Sequence, residues 1–180
     1  MLFRSKSKIL DDHRHWNVGD FEWWDSVYEL FTEDMKAIGI EVDKMYFSGF
    51  WSQGDGACFE GRYSHAAGAT RAIRDHAPKD NELHRIADVL QTVQRRNFYQ
   101  LHATVTHRDR YYHEYCMAIS VERDSPTWQD MTADAEETVI EALRDLARWL
   151  YRQLEREYDH LASDESIDEA IAAKIGRAHV

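Results

Sequence analysis

From Ala133 to Leu161 the chain has neither Pro nor Gly, and its apolar residues recur at helical steps. Val139, Leu143, Leu146, Leu150, Leu154 and Leu161 form one stripe, thickened by Ile140, Ala147 and Tyr151. A helix of that span is about 45 Å long. An apolar stripe this long needs an equally long surface to cover it, and a β-sheet crossed from end to end supplies one. Pro126 breaks the chain before this helix. The residues ahead of this helix must therefore supply the sheet.

Two pairs of strand patterns lie there. Residues 40–50 (Ile40, Val42, then Met45-Tyr-Phe) and 57–63 flank Trp51-Ser-Gln-Gly-Asp-Gly56, whose Gly-Asp-Gly end suits a hairpin loop. Residues 99–107 alternate through Tyr99, Leu101, Ala103 and Val105, and residues 111–121 through His113, Tyr115, Met117, Ile119 and Val121. Joining those odd-numbered faces needs an odd loop around Arg108-Asp-Arg110. Helical periodicity covers 20–38, ending at Gly39, then an Ala-rich stretch at 64–76 ending before Pro78. A further helix is capped by Asp80, with Leu83, Ile86, Ala87, Leu90 and Val93 on one face, and Ser163-Asp-Glu165 starts a last helix. The expected fold is α+β, in the order α-β-β-α-α-β-β-α-α, with a four-stranded antiparallel sheet and helices mainly on one face. Residues 1–18 read as an arm and 19–170 as one domain. Residues 171–180 read as a tail, which from Lys174 (Lys-Ile-Gly-Arg-Ala-His-Val) resembles a translated sequencing adapter and is set aside with the true C-terminus beyond it.

Charge narrows the functional classes. The chain carries a net charge of −11, and residues 18–60 hold ten acidic against two basic side chains. That sign disfavours direct contact with nucleic-acid phosphates and favours solubility, or docking on a basic protein surface. The N-terminal residues form no signal peptide, and no apolar run is long enough to cross a membrane. Two cysteines, Cys58 and Cys116, sit inside apolar runs, as buried thiols of a reducing cytoplasm do. The expectation is a cytoplasmic protein without cofactor, metal or membrane contact, with a homodimer left open as its assembly.

Two segments are candidate binding surfaces. Glu22, Asp25, Glu29 and Glu33 recur at one-turn intervals opposite the apolar arc of the first helix. Either they are its solvated face, or they mimic a row of phosphates for a basic partner. In the loop, Trp51, Ser52, Gln53 and Asp55 combine an aromatic ring, polar groups and glycines. Glycines let backbone N–H groups approach a ligand, and they equally serve a plain turn.

Enzyme chemistry finds less. No Gly-Lys-Ser/Thr, His-Glu-x-x-His or Cys-x-x-Cys occurs. Ten histidines still permit a Cys58 or Cys116 thiol beside His102 or His113, with Glu114 orienting the ring. The alternative function is thus a small hydrolase-like enzyme using such a pair, or the 51–56 loop. Arg144, Arg148, Arg152 and Arg156 interleave with Glu141, Asp145, Glu155 and Asp159, which reads as a solvated charge lattice.

The stretch Phe47-Ser-Gly-Phe-Trp-Ser-Gln-Gly-Asp-Gly-Ala-Cys-Phe-Glu-Gly61 resembles a family of small phage and prophage proteins often labelled antitoxins of toxin–antitoxin systems. The likeness extends through Leu83-His-Arg-Ile-Ala-Asp88, Gln94-Arg-Arg-Asn-Phe-Tyr-Gln-Leu101, His113-Glu-Tyr-Cys116 and Trp149-Leu-Tyr-Arg-Gln-Leu-Glu155. It implies no catalytic residues. Together with the charge, it implies a phage-encoded binding protein that neutralises a basic host toxin or a nucleic-acid-handling defence effector.

Overall fold

In the computed structural model, residues 5–19 and 22–177 are described. The helices are α1 (Lys6–His13), α2 (Asp25–Ala37), α3 (Ala69–His76), α4 (Asn81–Arg96), α5 (Ala133–Leu161) and α6 (Asp164–Arg177). The strands are β1 (Ile40–Phe47), β2 (Ala57–Ser64), β3 (Leu101–His107) and β4 (Met117–Arg123). They form one antiparallel sheet in the order β1-β2-β3-β4. The α+β order read from the sequence is the observed one, with α1 added in front.

The residues fall into two compact units, one running to Val27 and resuming at Gln153, the other Tyr28–Arg152. In the second unit, alternation puts Phe59, Tyr63, Leu101, Ala103, Val105, Met117 and Val121 on one face of the sheet, all buried. Helices cover that face. Phe31 of α2 lies against Phe59 at 5.5 Å and stacks on Trp149 of α5 at 6.0 Å between ring centroids. Val139, Leu143, Leu146 and Leu150 of α5 are fully buried, as the stripe requires. The other face shows Glu41, Arg62, Thr104, Thr106, Ser120 and Glu122 to solvent.

The β3–β4 register pairs Ala103 with Val121 and Val105 with Ile119, so odd residues face odd residues. The connection is the odd-length stretch 108–116, longer than the expected Arg108-Asp-Arg110 turn, and β4 starts at Met117 rather than 111. Residues 111–116 alternate in sequence yet leave the ladder. Arg108 N–H donates to the Cys116 carbonyl, and a 3₁₀ turn at Glu114–Cys116 closes the loop with His113 Nδ1 accepting from Tyr115 N–H.

In the first unit, the arm expected at 1–18 contains α1. Ser5 caps it, and it joins α6 through Lys6–Asp168 and Arg14–Asp164 ion pairs. Asn17 Nδ2 donates to the Leu161 and Ser166 carbonyls. With Ile9 and Leu10 as its only aliphatic residues, α1 shows no apolar period. Residues 171–177, expected as tail, continue α6, and Lys174 Nζ lies 3.7 Å from the Trp16 ring centroid. Residues 178–180 lie outside the described residues. The helix expected from residue 20 begins at Asp25. Trp23 is buried just ahead of it, edge-on to Trp24 and Tyr158, while residues 20 and 21 lie outside the described residues.

Two local features run against stability. Helix α4 ends in a Schellman turn, with Phe98 N–H donating to the Arg95 carbonyl and Tyr99 N–H to the Gln94 carbonyl. Glycine normally takes the left-handed position there, but here Phe98 and Tyr99 hold φ of 54° and 61°. Such residues cost on the order of 1 kcal/mol each. Buried Gln94 holds the turn, its amide bonding both Leu101 N–H and the Leu101 carbonyl.

The other feature is Asp34 on α2, 1% exposed, with Oδ1 lacking a hydrogen-bond partner. Burial pushes its carboxyl up to about 6, against the pull of His76, whose Nδ1 is 3.9 Å away. Below about pH 4 the group is protonated folded and unfolded alike, so it costs nothing. Between pH 4 and 6 only the unfolded chain ionises, and stability falls until pH passes 6. Asp34→Asn is therefore expected to stabilise the protein by roughly 1–3 kcal/mol at pH 7. The gain should vanish below pH 4 in urea titrations taken across that range.

Candidate functional site

The hairpin loop between β1 and β2 is built more firmly than its glycines suggest. Asp55 Oδ2 accepts the backbone N–H of Ser52 at 2.7 Å and of Trp51 at 3.1 Å. Those bonds, led by Ser52, hold its carboxyl below the usual carboxylate range. Ser48 N–H donates to the Gly56 carbonyl, and Gly56 N–H to Ser48 Oγ. Asp55 thus builds the turn that carries the other loop candidates. Only Trp51, Ser52 and Gln53 of the four loop candidates point outward, with the Trp51 indole 75% exposed.

A close contact fixes the loop from its other side. A Cβ on Gly56 would lie 2.6 Å from His113 Cβ, so the 108–116 loop passes directly against the hairpin end. Tyr112 of that loop stacks on Tyr46, the β1 partner of fully buried Cys58, with centroids 5.3 Å apart. Phe50 meets Tyr151 of α5, whose hydroxyl donates to the Gly49 carbonyl. The loop therefore presents Trp51 on a rigid base rather than a flexible one.

The thiol constellation divides. Cys58 is fully buried, and burial pushes its pKa up to about 12, far from a nucleophile's range. Cys116 Sγ lies 3.4 Å from His113 Nε2 and 3.6 Å from Nδ1. However, Nδ1 already accepts the Tyr115 N–H, and Glu114 turns away to Arg148 Nε at 3.1 Å. The backbone N–H of Tyr115, rather than the expected Glu114, orients the imidazole. His102 faces Asp124 at 3.2 Å, away from both thiols. Among the described residues, no group of three or more His, Cys, Asp or Glu side chains could hold a metal ion, and no helix is long and apolar enough to cross a membrane.

The arginine row of α5 is a tertiary device rather than a solvated lattice. The expected three-residue pairs Arg144–Glu141 and Arg148–Asp145 are present at 2.8 Å. Arg148 also binds Glu114 and the Tyr115 hydroxyl, and Arg152 pairs with Glu82 of α4. Sequence spacing shows same-helix partners only, so these longer links were invisible to it.

The carboxylates Asp25, Glu29 and Glu33 stand exposed on α2, and Glu22 is exposed just before it. None of the four forms an ion pair among the described residues, although many other acidic side chains do. Along α4 and the start of α5 runs an open groove of about 850 Å³. Two of its arginines, Arg74 and Arg85, are taken up by Asp88 and Asp145.

The profile of a family described as a domain of unknown function, DUF8835, matches residues 23–164. That span contains the sheet, α2 to α5 and every candidate residue except Glu22. No curated protein and no solved structure matches the chain.

Proposed function

The chain belongs to the DUF8835 family, and we propose that it is an acidic binding protein that occupies a basic surface of a protein partner. The partner would be a toxin or a nucleic-acid-handling defence effector of a bacterial cytoplasm, and the source a phage or prophage. The observation that supports this reading is the row Glu22, Asp25, Glu29 and Glu33, exposed and without ion pairs among the described residues. Asp25, Glu29 and Glu33, held one helical turn apart on α2, keep their full field for a partner. Trp51, exposed on its braced loop, is a suitable aromatic anchor for a protein partner.

Reversing all four carboxylates to lysine tests it. The variant should stay folded, losing at most about 1 kcal/mol where Asp25 meets the positive end of α2. Capture of a basic protein from host lysate should fall at least tenfold, with and without nuclease. Undiminished capture would remove the row from the interface.

A second reading rests on the Cys116–His113 contact, a thiol enzyme of modest substrates. Cys116→Ser separates the two, since it leaves partner capture intact and would abolish a thiol-dependent reaction.

A further inference from the structure

Three aromatic side chains are displayed at positions where both solvent and backbone oppose them. Trp128 is 96% exposed, Phe98 71% and Tyr99 45%. All three hold positive φ, at 59°, 54° and 61°. Folding alone selects against a large exposed ring on a left-handed residue, because glycine is easier there and water disfavours the ring. Tyr99 rests on His65 at 4.5 Å between ring centroids, while Phe98 and Trp128 stay largely open to a ligand.

Arg123 ties them into one end of the sheet. Its guanidinium carbon lies 5.8 Å from the Phe98 ring centroid, and it donates to Gln100 and to the Asp130 carbonyl beside Trp128. A hollow of about 500 Å³ opens there, lined in part by Arg123, Pro126, Trp128 and Gln129. On the other side, Arg96 lines the 850 Å³ groove along α4. Arg95 and Arg96 are exposed and without a carboxylate partner among the described residues, and half-buried Arg123 has no carboxylate partner among them either. Of the acidic groups near them, Asp124 is 3.2 Å from His102, and Asp130 Oδ1 accepts the Met131 N–H.

We propose that Phe98, Tyr99 and Trp128, with Arg95, Arg96 and Arg123, form a binding surface for single-stranded nucleic acid. Bases stack on the exposed rings, and the guanidinium groups meet the phosphates between them. Base faces are hidden in a duplex, so the surface distinguishes single strands from double. This departs from the expectation set by the net charge of −11. That charge weakens long-range attraction, whereas stacking and paired phosphates act at contact distance.

The test is fluorescence anisotropy of labelled oligo-dT and oligo-rU twenty-mers with the full chain at low salt, beside a labelled duplex and a poly-glutamate peptide. Single strands should bind at least tenfold more tightly than the duplex and the peptide. Their affinity should fall with salt at a log–log slope of about −2, for three neutralised phosphates. Trp128→Ala and Phe98→Gly should each weaken binding about tenfold without lowering the melting temperature, which Phe98→Gly should raise by relieving its left-handed strain, and Arg95→Gln with Arg96→Gln should lower the salt slope. Absence of single-strand binding at low salt overturns the proposal, as does binding that these variants leave untouched. Equal binding of poly-glutamate, lost in the same variants, would assign the surface to an acidic peptide instead and overturn it too.

Discussion

Leu146→Asp is expected to unfold the Tyr28–Arg152 unit. Leu146 is fully buried at the middle of the α5 stripe, between Leu143 and Leu150, which are equally buried. The substitution removes apolar contacts and places a carboxylate inside a fully buried apolar stripe. Each effect alone costs several kcal/mol, and their sum of at least about 5 kcal/mol matches the whole stability of a marginal domain. Far-ultraviolet circular dichroism at 25 °C should show loss of the cooperative melt. Leu30→Asp on the exposed side of α2 is the control, expected to change stability by less than about 1 kcal/mol. A Leu146→Asp protein melting within a few degrees of the parent would mean that α5 is not the central core helix.

Gly61→Ala is the second large effect, and its cause is backbone rather than solvent. Gly61 sits on the buried face of β2, paired with Val42 where β1 shifts register before Lys44. A Cβ there would stand 2.2 Å from the Glu41 carbonyl oxygen and 3.2 Å from Val42 Cα. These are main-chain atoms of a paired strand, so they cannot swing aside as a flexible side chain would. A loss of about 3 kcal/mol or more is expected in urea unfolding, with the β1–β2 ladder distorted. Gly68→Ala separates sterics from conformation. Its φ is +76° but nothing lies within 4 Å of its Cβ, so it should lose only about 1 kcal/mol. Equal losses at the two glycines would contradict the steric explanation.

These two positions also mark how far the sequence could be read. The α5 stripe was legible because one long period forces one buried face, and the odd register of β3 with β4 followed from alternation alone. The bulge at Val42 and the close approach at Gly61 were not, since glycine in a strand looks the same whether it is packed or spare. Asp34 follows Glu33 and reads as one more surface acid, though three-dimensional packing buries it. The backbone N–H bonds by which Asp55 braces its own loop are equally invisible to residue type and spacing. The left-handed turns at Phe98 and Trp128 left no trace, because the usual sign of such a turn is a glycine that these positions lack. Pairings across the fold, such as Arg148 with Glu114, need the topology before they can be named.

Binding by the acidic row is tested most directly by the kinetics of the captured partner at several salt concentrations. Steering by Glu22, Asp25, Glu29 and Glu33 predicts that the association rate falls about tenfold or more between roughly 50 and 500 mM salt, as screening shortens from about 14 to 4 Å. The dissociation rate should change far less, and the four-lysine variant should already associate slowly at low salt. An association rate that is flat across that range, and equal in the parent and the four-lysine variant, would contradict an acidic docking surface on this chain.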